Sequence, residues 1–222
     1  MNMKKILLLI WVCLTAHIAF SQNAAKEESV DPKAKSLLDK AVAVMENKKG
    51  MEIQFTIKVD NVRDSKSDTY NGSAMLKGEK FKLSLKDVDT YFDGKIEAVH
   101  MVKEKEVTLS KPDKDDLKEV NPILLMKSYK TGYKMRYMGV STVNGKPCEE
   151  VELYPDDLNS PYSIIHLIFE KKTLLLESIS LRGKGGIHTY FNVTKVSPKE
   201  FKDTDFVFDV KQHPGVEVVD LQ

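Results

Sequence analysis

Beyond an apolar N-terminal run, the residues able to do chemistry are few: His100, His166, His188, His213, the lone Cys148, and the acidic set Asp113, Asp115, Asp116 and Glu119. Imidazole and thiolate hold transition metals, but a metal site legible in sequence needs ligands three or four residues apart, and none of these has such a partner. A hydrolase nucleophile on a strand-to-helix turn would carry G-x-S-x-G, which is absent. Paired carboxylates run acid–base chemistry, yet four of them on the charged, proline-containing stretch Lys111 to Glu119 are explained by a solvated loop. Arg182-Gly183-Lys184-Gly185-Gly186 has the composition of a phosphate cradle without P-loop spacing, and reads as a glycine-rich hairpin. No catalytic or metal-ligating constellation survives, and no cofactor is implied.

What remains is apolar binding chemistry. Phe55, Ile57, Val59, Leu76, Phe81, Leu83, Leu85 and Val99 alternate with polar residues and fall on one face of successive strands. Such a face is either the core of a barrel or the lining of a cavity for a hydrophobic ligand. Met75, Met101, Met126, Met135 and Met138 suit the second reading, since thioethers adapt to varied shapes.

The elements that must position this face follow from periodicity. Lys4 and Lys5, the apolar stretch Ile6 to Ala19 and the small residues around Ser21 have the form of a secretory leader, residues 1–21, cleaved before Gln22. Asp31-Pro32 then signals a helix start. Ala34, Leu37, Leu38, Ala41, Val44 and Met45 recur at helical spacing until Lys49-Gly50. After Gly50 the period becomes 2. Strands are expected over Met51 to Val59, Tyr70 to Leu76, Phe81 to Leu85, Glu97 to Val102, Glu106 to Leu109, Tyr133 to Tyr137, Cys148 to Tyr154, Ser163 to Phe169, Leu175 to Leu181 and Thr189 to Val193. Phe206 to Phe208 and Val216 to Val219 are candidate edge strands, and Asn121-Pro122 opens a second, short helix. About ten one-sided antiparallel strands with two helices predict a mainly β chain built on a large curved sheet or open barrel, which either closes on itself or keeps an apolar hollow.

Composition narrows the function. Removing Lys4 and Lys5 with the leader leaves 32 basic against 33 acidic residues, so nothing recruits nucleic acid. Cys13 leaves with the leader, and Cys148 alone cannot form an internal disulfide.

With these parts in order, the chain resembles the LolA-like periplasmic outer-membrane lipoprotein carriers. The resemblance rests on the helix running into Phe55-Thr56-x-Lys58-Val59 and on Gly72 with Phe81 nine residues on. It continues through Asp93-Gly94-Lys95, Asn121-Pro122-Ile123-Leu124-Leu125-Met126, and Phe206-x-Phe208 with Pro214-Gly215-Val216. It implies a mainly β, single-domain, unclosed antiparallel half-barrel over residues 22–222 whose concave apolar face, covered by a lid, takes up the acyl chains of lipoproteins. Phe55, Ile57, Val59, Leu76, Phe81, Leu83, Leu85 and Val99 would line that cavity, with Ile123, Leu124 and Met126 on the lid helix. It further implies a monomer in the periplasm that binds acylated lipoproteins, receives them from an inner-membrane lipoprotein-releasing transporter and passes them to an outer-membrane acceptor, with no enzymatic activity. The family's arginine–proline pair before Phe81 is replaced here by Lys77-Gly78-Glu79-Lys80, and Leu83 stands where an aromatic is usual. A sensor or regulator that detects envelope lipid or peptide with the same half-barrel is the alternative.

Overall fold

Helix α1 spans Pro32–Met45, and its start is set by local chemistry. Asp31 Oδ1 accepts hydrogen bonds from the backbone N–H groups of Lys33 (2.8 Å) and Ala34 (3.2 Å), and Pro32 supplies the helical φ at the first position. Its stripe buries Ala34, Leu37, Leu38, Ala41, Val42 and Met45. Val44, expected in that stripe, is exposed, and Val42 takes its place. The protein is seen here as a computed structural model, which describes residues 31–46, 49–113, 117 and 128–222. The expected leader and Ile123, Leu124 and Met126 lie outside them.

Gly50 turns the chain from the helix into the sheet at φ +110°. A Cβ there would sit 2.7 Å from the Lys199 carbonyl oxygen and 2.8 Å from the Phe201 ring, so only glycine fits. Twelve strands follow: β1 (Met51–Asn61), β2 (Lys66–Lys77), β3 (Lys80–Leu85), β4 (Val88–Phe92), β5 (Glu97–Met101), β6 (Glu106–Ser110), β7 (Tyr133–Val143), β8 (Lys146–Pro155), β9 (Tyr162–Glu170), β10 (Leu176–Gly183), β11 (Ile187–Pro198) and β12 (Glu217–Asp220). They form one sheet in the order β12-β6-β5-β4-β3-β2-β1-β11-β10-β9-β8-β7, with β12 and β7 as its open edges. The sheet is unclosed, as the family resemblance implies.

Four details depart from the sequence reading. β4 is an additional strand, reached through a tight turn at Lys86 (φ 56°) that carries no glycine or asparagine signal. Residues 203–206 form a 3-10 turn rather than a strand, in which Phe206 is fully buried and its ring meets Phe201 edge-on. β12 pairs with β6 in parallel, so the sheet is not wholly antiparallel. Leu117, within the stretch expected to be a solvated loop, is helical and buried in the main core.

The two faces of the sheet hold two cores of unequal size. The larger lies on the face covered by α1 and draws on both arms of the sheet. The smaller, on the other face, joins Tyr91, Ala98 and Val107 to Phe208 from the C-terminal segment. His100 lies beneath it, 4% exposed, with its ring centroid 4.9 Å from that of Phe208 and 4.6 Å from that of His213. Burial, then the neighbouring His213, holds the His100 imidazolium below its ordinary pKa.

Cys148 is fully buried on β8, and burial pushes its thiol above the usual value. A thiol reagent is therefore expected to leave the native protein unlabelled and to react along the urea unfolding curve. Prompt labelling of the native state would contradict this placement.

Candidate functional site

Strand register decides which side chains share a face. Opposite Met51, Ile53 and Phe55 on β1 stand Leu76, Ala74 and Gly72 on β2. Those in turn oppose Phe81, Leu83 and Leu85 on β3, and Phe92, Thr90 and Val88 on β4, with Val99 on β5 opposite Thr90. Ile57 and Val59 follow on the same side of β1 because alternate residues point the same way. All eight residues singled out in the sequence thus lie on one face, the face that α1 covers. Phe55, Leu76 and Phe81 are buried within the main core; Ile57, Leu83 and Leu85 are half-buried against it; Val59 and Val99 are half-buried outside it.

The face is larger than the sequence indicated. Across the junction, Ile57 opposes Phe191, which opposes Ile179, then Leu167, Val151 and Tyr137. Val59 likewise begins a row through Thr189, Leu181, Ile165, Leu153 and Met135. The alternation Val151/Leu153 and Ile165/Leu167/Phe169 was visible, but which arm would share a wall with β1 depends on long-range pairing. Of the methionines, Met135 is buried in this core and Met101 is half-buried on the same face. Met75 is a correction: it opposes Glu52 and Lys82 on the other face. Met138 is exposed at the bulge between Tyr137 and Gly139.

Phe55 and Phe81 give the wall its shape. The Phe55 ring lies 4.4 Å, centroid to centroid, from Phe191 and passes over Gly72. A Cβ on Gly72 would come within 2.5 Å of that ring and 2.9 Å of the Ser84 carbonyl oxygen. Phe81 packs against Phe92 at 5.5 Å, tilted by 33°. Each such ring withdraws enough area from water to contribute about 1.5–3 kcal/mol.

Polar groups hold the cover in place. Asp31 Oδ2 accepts the Tyr137 N–H at 2.9 Å, tying the start of α1 to edge strand β7, while the Lys33 ammonium sits 3.7 Å from the Tyr137 ring centroid. Asp39, midway along α1, accepts Lys35 Nζ at 2.6 Å and the hydroxyl of Tyr129. Tyr129 is 1% exposed, and burial together with that carboxylate raises its phenol far above the ordinary value. Leu117 and Tyr129, which precede and follow the expected lid residues in sequence, are both in the main core.

Where the resembled family has arginine and proline before Phe81, this chain builds another contact. Lys77 and Lys80, at the two ends of the β2–β3 turn, place their ammonium groups 2.9 and 2.8 Å from the Asp203 carboxylate. Those hydrogen bonds, from Lys80 and then Lys77, hold Asp203 down to about 2. Lys77 also donates to the Phe201 carbonyl at 2.8 Å, so the turn grips the C-terminal segment.

A family model described as "Outer membrane lipoprotein carrier protein LolA" matches residues 20–146, more than half of the chain. Among solved structures, the chain is similar to an uncharacterized conserved protein from Thermus thermophilus, at 8% identity and a TM-score of 0.60, covering 85% of this chain and 99% of that one. It is also similar to a LolA superfamily protein from Nitrosomonas europaea, at 14% identity and TM-score 0.44, covering 80% and 98%. A third is the Mycobacterium tuberculosis lipoprotein LppX, at 10% identity and TM-score 0.43, covering 78% and 98%. No curated protein matches.

Proposed function

Because the chain belongs to the outer membrane lipoprotein carrier protein LolA family, we propose that its concave face shields the acyl chains of lipoproteins in transit through the periplasm. The observation that supports this reading is the single apolar wall that Phe55, Ile57, Val59, Leu76, Phe81, Leu83, Leu85 and Val99 share across β1, β2, β3 and β5. In this proposal residues 1–21 are the removed leader and residues 22–222 the carrier. Ile123, Leu124 and Met126 belong to the lid, alongside helix α1.

The physics of a carrier sets its terms. Each buried acyl CH₂ contributes about 0.8 kcal/mol, so a fully sheltered chain would never leave. Release without nucleotide hydrolysis requires open and closed states that differ by only a few kcal/mol. A cover attached to the sheet by a small number of polar ties, around an apolar wall that has half-buried as well as buried positions, meets that requirement. An inner-membrane lipoprotein-releasing transporter loads it and an outer-membrane acceptor unloads it.

The test uses Leu83, which is half-buried, so that a charge there spares the deep core. Native mass spectrometry with lipid extraction on protein purified from its own envelope is expected to show acylated protein on the wild type. Leu83→Glu, with its thermal melt retained, is expected to lose about tenfold or more of it, since an unpaired carboxylate against acyl chains costs over 1.4 kcal/mol. Undiminished cargo on Leu83→Glu would remove the concave face from consideration, and free lipid or peptide in place of acylated protein would favour a sensor.

A further inference from the structure

The opposite face of the second arm carries a groove of about 520 Å³, within the range of roughly 300–1,000 Å³ that holds small ligands. Two cross-strand rows build it. Glu152, His166, Ser180 and Tyr190 stand opposite one another on β8, β9, β10 and β11. In the next row Arg182 on β10 opposes Ile164 on one side and His188 on the other. These residues alternate with Leu153, Ile165 and Ile179 of the main core, so the groove is separated from the proposed acyl site by the thickness of the sheet.

Its hydrogen bonding is lopsided. The acidic groups each have a partner: the Glu152 carboxylate takes the Tyr154 hydroxyl through Oε2, and neighbouring Glu150 takes His166 Nε2 at 2.9 Å. The donors do not. Among the described residues the Arg182 guanidinium and the hydroxyls of Ser180 and Tyr190 have no hydrogen-bond or ion-pair partner, and His188 Nδ1 is buried without one. A buried polar nitrogen left unmade is costly, and a free guanidinium beside it offers two parallel N–H groups suited to a planar or tetrahedral oxyanion.

We propose that this groove is a second ligand site, for a small molecule or group whose carboxylate or phosphate is held by Arg182 and His188 and backed by the Ser180 and Tyr190 hydroxyls. Ile164 gives the ligand's carbon stem an apolar floor. The site stands apart from the carrier reading: of its lining residues Leu181 alone belongs to the concave wall, and none of the groups that hold the ligand does.

Titrating the ¹⁵N-labelled full chain with inorganic phosphate, glycerol 3-phosphate and N-acetylglycine tests this by NMR. Saturable amide shifts centred on β9, β10 and β11 are expected with at least one probe. Preference for glycerol 3-phosphate would identify a lipid headgroup, and preference for N-acetylglycine a peptide or metabolite carboxylate. Arg182→Ala is expected to weaken binding about tenfold, and Arg182→Lys by less, as a lost bidentate contact predicts. Arg182 is exposed, so both variants keep the fold, which a thermal melt verifies. The site is refuted by the absence of any saturable response, or by a response that Arg182→Ala leaves unchanged.

Discussion

Phe55→Ala is expected to lower stability by about 3–5 kcal/mol in urea unfolding, the range for deleting a fully buried ring, with the m-value unchanged. In a chain of this size that corresponds to a fall in Tm of roughly 6–20 °C. The effect is large because one ring serves two contacts, lying 4.4 Å from Phe191 and over the bare Cα of Gly72. The same geometry makes Gly72→Ala destabilising by about 1–3 kcal/mol, through overpacking rather than a lost contact. The φ of Gly72 is one any residue adopts, so steric collision with Phe55 and Ser84 is the main cause of that cost. The two sites must therefore couple. Phe55→Leu combined with Gly72→Ala is expected to be more stable than the sum of the single variants by about 1 kcal/mol. Strict additivity would show that Gly72 is not there to admit the ring.

Asp31 gives the second large effect. Asp31→Ala removes a helix cap, costing about 0.5–2 kcal/mol, and strips the Tyr137 N–H of its acceptor, costing about 1–3 more. Asp31→Asn separates the two. Asparagine caps as well as aspartate does, but its single oxygen cannot serve both the α1 amides and Tyr137, and its NH₂ group presents a donor to a donor. The expected order of stability is wild type, then Asn, then Ala, with faster amide exchange at Tyr137 in both variants. pH provides a further reading. The Tyr137 N–H is the largest influence holding the Asp31 carboxyl below 3.8, ahead of burial, which acts the other way. A carboxyl whose folded pKa is depressed contributes stability that is fully present above the unfolded value and is lost as pH falls through the folded one. The gap between wild type and Asp31→Asn should thus be constant near neutrality and narrow in acid below about pH 4. An unchanging gap would mean the carboxylate charge has no part in the tie.

Local chemistry made part of this legible in advance. Asp31-Pro32 carries its own cap, so the start of α1 needs no tertiary information. The strict alternation from Met51 to Val59 fixes a face before any partner is known. Other features have no local signal. The turn at Lys86 runs through a positive φ without glycine, hiding β4. Phe206 and Phe208 have the composition of a strand but are placed by packing against Phe201 and Tyr91. The Glu152–His166–Ser180–Tyr190 row comes from four strands and exists only once the register is set. Gly72 reads as a weak point in a strand until Phe55 is seen lying on it.

β1 has its neighbours at opposite ends of the chain, and this imposes an order of events on folding. On one side it pairs with β2 across a short turn; on the other, Met51 meets Pro198. The arms β1 to β6 and β7 to β11 can each zip up through successive hairpins. The seam between them, at its shortest from Asn61 to Ile187, closes a loop longer than half of the protein, so it is the late and slow step. Until residue 198 has arrived, an eleven-residue strand waits with one row of amides and carbonyls open and apolar side chains beside them. A chain delivered N-terminus first therefore passes through a period of high self-association risk, and its yield will depend more on what shields β1 during that interval than on the stability of the finished sheet.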